Sequence, residues 1–97
     1  MSEIDIELAG EERAEDVIER IDRAAASCGL TVTMKGALKT YPGSTHWHCK
    51  LGREPGTLEI TYWPRKPRLW VKVVESRRAP WMDEVVPRLR RTLTGSS

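Results

Sequence analysis

Between Leu30 and Val74 the chain alternates with a period of two in four runs, each closed by a turn rich in Pro or Gly, and that pattern admits little besides an antiparallel sheet. Val32, Met34 and Leu38 alternate with Thr33, Lys35 and Ala37. Trp47, Cys49 and Leu51 alternate with His46, His48 and Lys50. Leu58, Ile60 and Tyr62 alternate with Thr57, Glu59, Thr61 and Trp63, and Leu69, Val71 and Val73 with Arg68, Trp70, Lys72 and Val74. Tyr41-Pro42-Gly43-Ser44, the segment from Gly52 to Gly56, and Pro64-Arg65-Lys66-Pro67 supply the reversals.

The flanks change period. Ile4, Ile6 and Leu8 alternate with acids, which predicts a short half-buried strand before Gly10. From Glu11 to about Ser27, Ala14, Val17, Ile18, Ile21, Ala24, Ala25 and Cys28 follow helical spacing, and Gly29 supplies a stop. Met82, Val85, Val86, Leu89 and Leu93 predict a second helix over 80–93, with Pro80 suited to its first turn. Pro87 predicts a bend or break near Asp83, because it removes a backbone donor.

The expected fold is an α+β two-layer sandwich in the order β-α-β-β-β-β-α, an antiparallel meander with two helices packed on one face. One domain spans 1–94, and 95–97 form a frayed tail. The expected core draws on Val17, Ile18, Ile21, Val32, Met34, Leu38, Trp47, Leu51, Leu58, Ile60, Tyr62, Leu69, Val71, Val73, Val85 and Leu89. The other sheet face is left to water, as antiparallel sheets allow.

Composition narrows the class. The chain has 97 residues, 39% of them hydrophobic and 31% charged, the balance of a globular domain. No apolar run approaches the roughly 18 residues of a membrane span. The acidic start, MSEIDIELAG, differs from a secretion signal, and Cys28 and Cys49 are too few for a disulfide scaffold, so a cytosolic location is expected. The net charge of +2 conceals an asymmetry. Residues 1–27 hold nine acids against three arginines, whereas 28–97 hold thirteen bases against five acids. Either the acidic segment lies against the basic one, or a basic face is kept for an anionic partner.

Closing the turns tightly gives a register for the water-facing side. It places Thr61 opposite Trp70, Glu59 opposite Lys72, His46 opposite Trp63, His48 opposite Thr61 and Lys50 opposite Glu59. It also places Lys39 opposite His46 and Lys35 opposite Lys50. That face then carries His46, His48, Lys50, Trp63, Arg68, Trp70 and Lys72, rings interleaved with cations as in single-stranded nucleic-acid binders. If the N-terminal strand pairs beside 31–40, its acids neutralise that side and leave 68–75 basic. The leading expectation is a small non-enzymatic binding module for single-stranded nucleic acid. The alternative is a protein-protein or homodimerisation domain using the same face or the 68–75 strand as an edge, and cross-strand stabilisation alone explains the same pattern.

Other chemistry is weaker. His46 and His48 share a face of their strand while Cys49 points away, which makes half a zinc site with Glu59 a row off, so no metal is expected. No catalytic residue or cofactor is assigned, and no P-loop, GxGxxG, HExxH or GxSxG motif occurs. The helix–strands–helix order resembles double-stranded RNA-binding domains in topology, with an extra strand at each end. None of their RNA-contacting residues can be placed on this chain, and it is assigned to no family.

Overall fold

The computed structural model describes residues 2–8, 10–74 and 78–94. Along the chain run β1 (Ser2–Ile6), α1 (Ala14–Ser27), β2 (Thr31–Gly36), β3 (Thr45–Lys50), β4 (Leu58–Trp63), β5 (Arg68–Val73) and α2 (Pro80–Leu93). The strands form one antiparallel sheet in the order β1-β5-β4-β3-β2, and the helices share a single core with one of its faces. The expected α+β sandwich is the observed fold. Residues 95–97 and Glu75 lie outside the described residues.

The β1–α1–β2 connection spans the sheet. β1 and β2 occupy opposite edges of the sheet. Four antiparallel steps leave β1 and β2 parallel, so the connection through α1 must return the chain along the strands as well as across the sheet. The connection therefore carries the chain from one edge to the other, and β1 pairs with β5, Ile4 opposite Val71. The conditional pairing of β1 beside 31–40 does not occur, and β5 is interior, so the 68–75 strand is not an edge. α1 begins at Ala14, three residues later than its period suggests, with Glu15 and Asp16 in its first turn. Gly29, at φ +78, ends it: its N–H reaches Ala26 O, and the Leu30 N–H reaches Ala25 O, a Schellman closure.

One row of the sheet runs through Trp47, Ile60, Val71 and Ile4. Against it pack Val17, Ile21, Ala24 and Ala25 of α1 and Met82, Val85 and Leu89 of α2. α2 runs through Pro87 without a break. Pro87 and Asp83 are both exposed, so the Asp83 carbonyl that loses its helical donor faces water.

β2 departs most from expectation. A β-bulge between Val32 and Met34 inserts Thr33, so Val32 faces Cys49 but Met34 faces His48 and Lys35 faces Trp47. The inserted residue reverses the alternation. Met34 turns to the face away from the helices, and Lys35 turns toward them, where its Nζ lies 2.8 Å from Asp22 Oδ2. Val32 and Met34, expected in the core, are exposed at 37% and 41%, because β2 is an outer strand with no neighbour to cover it. Leu38, Leu51 and Ile18 are only half-buried. β2 also ends at Gly36, short of Lys39.

Candidate functional site

The β4–β5 register is the one read from the sequence: Trp63 faces Arg68, Thr61 faces Trp70 and Glu59 faces Lys72. The β3–β4 register is displaced by two residues, so His46 faces Thr61 and His48 faces Glu59. The loop from Leu51 to Thr57 accounts for the displacement. It is wider than a tight turn, closes on a Glu54 N–H to Leu51 O bond, and is held to α2 by the Trp81 indole donating to Pro55 O at 2.8 Å. A shift of two keeps every side chain on its own face, which is why the core pattern does not reveal it.

The face away from the helices is not open. The chain between Gly36 and Thr45 folds across it, and Tyr41 places its ring 5.0 Å from both Trp63 and Trp70 in edge-on contacts. The Trp63 indole donates to Pro42 O at 3.0 Å, and Ser44 Oγ accepts from the Leu38 N–H, which secures the loop. Trp70 is 3% exposed and His46 4% exposed, so neither is the solvent-facing group the alternation implies. Trp63 remains half-exposed. Arg68 lies 4.3 Å over the Trp70 ring and donates to Asp5 Oδ1 at 3.1 Å, with Glu3 3.6 Å away. β1 thus brings its acids to the 68–73 side, which is therefore not the basic edge expected. Lys50 sits at the far end of β3 opposite Thr31, apart from both clusters, and Lys35 is on the other face.

Two groups of candidate residues do come together. Trp63, Arg68 and Trp70 form an aromatic and cationic cluster beneath Tyr41. His46 and His48 meet Glu59, and His46 and Glu59 line a cavity of about 140 Å³ together with Thr61, Trp70, Lys72, Leu38, Tyr41 and Glu3. The His46 Nε2 is 3.0 Å from His48 Nε2 and 3.3 Å from Glu59 Oε1, and His48 Nε2 is 3.9 Å from that oxygen. His46 Nδ1 lies 2.7 Å from Thr61 Oγ1. Burial holds the His46 imidazole below its ordinary value, with the Glu59 carboxylate pulling the other way and the His48 and Lys72 charges adding to the depression. Among the described residues these are the three side chains whose ligand atoms converge as a metal site requires, all within 4.8 Å of one another. The signal available in the sequence was the pair His46-x-His48 beside Glu59-x-Thr61, two alternating pairs on neighbouring strands. Tyr41 carried no such signal, because only tertiary folding brings its loop over the sheet.

Fold and site together define a small α+β domain with a five-stranded antiparallel sheet and a covered second face. No family model, curated protein or solved structure matches the chain.

Proposed function

We propose that the chain is a small interaction module that self-associates, β2 of one copy extending the sheet through β2 of another. The state of that edge supports the reading: all six β2 residues are exposed, and Val32 and Met34 are the exposed large hydrophobics among the described residues. An outer strand carries a row of unpaired backbone donors and acceptors. At the opposite edge β1 presents Glu3 and Asp5, two carboxylates sharing one Arg68, so a net negative charge remains that discourages pairing. On β2 the single charged residue is Lys35, and Asp22 holds its ammonium. Two β2 strands related by a twofold axis run antiparallel, so one surface meets itself. Because the bulge sends Val32 and Met34 to opposite faces, such a junction gains apolar contact on both sides of the sheet.

Nucleic-acid binding is the second reading, and one observation favours it. Half-exposed Trp63 has the Lys66 ammonium 6.0 Å from its ring, beside exposed Arg65. The sheet face proper gives less support, since Trp70 is covered and Arg68 is paired with Asp5.

Sedimentation velocity over a wide concentration range tests the leading reading. The expected result is a dimer that dissociates on dilution and is abolished by Val32→Lys and by Met34→Lys without loss of monomer melting temperature. A monomer at every concentration overturns it. Salt-sensitive NMR shifts at Arg65, Lys66 and Trp63 on adding single-stranded RNA would then favour the second reading.

A further inference from the structure

We infer that His46, His48 and Glu59 form a binding site for a divalent transition-metal ion, zinc being the probe of choice, with one coordination position open to the cavity beneath Tyr41. The geometry carries this. Three donor atoms separated by 3.0, 3.3 and 3.9 Å lie on a circle of radius about 2.0 Å, so one point is equidistant from all three at roughly the 2.0–2.2 Å of zinc–nitrogen and zinc–carboxylate bonds. A tetrahedral ion with bonds of that length spaces its ligands about 3.3–3.6 Å apart, within the range of the observed separations.

The donor set is also chemically suited. Two imidazoles and one carboxylate on adjacent strands leave a fourth position for water or an external ligand. In the tautomer in which the Thr61 hydroxyl accepts the His46 Nδ1 proton, His46 Nε2 presents a lone pair toward His48 and Glu59. That is the outer contact by which metal-bound histidines are held in one tautomer. In that tautomer the proton between His46 and His48 comes from His48 and leaves Glu59 Oε1 facing the His46 Nε2 lone pair. A shared cation satisfies all three. The strands hold the groups at fixed register, His48 opposite Glu59 and His46 opposite Thr61, so the site is set by the sheet rather than by a loop. Lys72, opposite Glu59, and Glu3, opposite Lys72, also line the cavity and contribute opposite charges there. Cys49 projects to the helix face and takes no part.

The site is independent of the β2 pairing proposed above, since it lies on the covered face inside one chain. The test uses tag-free full-length chain stripped with EDTA and titrated with zinc by calorimetry, and with cobalt(II) by visible absorption. Expected are one ion per chain, a tetrahedral cobalt spectrum without thiolate charge transfer, and a higher melting temperature on binding. His48→Gln and Glu59→Gln, both at partly exposed side chains, should each abolish or severely weaken uptake. Thr61→Val, which keeps the shape but removes the hydroxyl, should weaken it about 10–100-fold. Circular dichroism confirms that each variant is folded. No uptake by the stripped wild-type chain overturns the inference, as does uptake unchanged in folded His48→Gln and Glu59→Gln or a spectrum showing thiolate ligation.

Discussion

The carboxylate of Asp22 joins α1 to the β3–β2 side of the sheet: its Oδ1 accepts the indole proton of Trp47 at 2.8 Å, and its Oδ2 pairs with Lys35 at 2.8 Å. Trp47 is fully buried, so its N–H has no access to water. One helical residue thereby ties α1 to both β3 and β2 and holds the reversed Lys35 on the helix side.

Asp22→Ala is accordingly expected to destabilise the fold by about 1–3 kcal/mol, the penalty of an unsatisfied buried donor. Trp47→Ala should be worse, about 3–5 kcal/mol. Urea unfolding of both single variants and the double variant checks this. The two effects must be non-additive, because each deletion removes the same bond.

Trp70→Ala is expected to destabilise by about 3–5 kcal/mol, a core substitution on the side of the sheet that the alternation alone marks as exposed. Tyr41→Ala should leave the main core intact while raising acrylamide quenching and red-shifting tryptophan emission, since the lid over Trp63 and Trp70 is removed. Unfolding midpoints and fluorescence of the two variants decide whether the second face is a packed layer.

The Arg20 guanidinium bonds both carboxylate oxygens of Glu12 and holds that carboxyl below its ordinary value of 4.5. For an acid depressed in the folded state, the unfolded chain takes up the proton first as pH falls. The stabilisation is therefore complete above about pH 4.5 and is lost as pH drops through the lowered value. Arg20→Gln should lower the urea midpoint at pH 7 and lower it less at pH 3. An equal loss at both pH values contradicts the linkage.

Burial pushes the Cys49 thiol up to about 12, with the Asp22 charge adding to the effect. Cys28 is also buried. Neither thiol should react with a disulfide reagent at pH 8 in native protein, and both should react on unfolding. Rapid native labelling of Cys49 would show that β3 opens locally.

Legibility in the sequence followed the range of the forces involved. The period-two runs, the helical stripe from Val17 to Cys28 and the Pro-Gly turns are local, and they identified five strands and two helices in the right order. The β4–β5 register was legible because its turn is short. The β3–β4 register was not, because the Leu51–Thr57 loop gains its shape from Trp81, distant in the chain. The His46–His48–Glu59 convergence depended on that same two-residue displacement: the sequence placed Glu59 one row from His48, and the observed register sets it directly opposite. The covering of Trp70 by Tyr41 is a tertiary event that no periodicity encodes. The pairing of β1 with β5 is likewise a long-range contact that no local pattern encodes.

Thr33 behaves like an inserted letter in a two-letter code. Up to Val32 the strand is in phase with β3, and from Met34 onward the same alternation is read out of phase. A strand written as apolar-inward thus ends with a thioether in water and an ammonium beneath a helix. The edge owes its character to one residue rather than to its overall composition, so a single deletion or insertion there would exchange what the sheet shows to its surroundings for what it shows to α1.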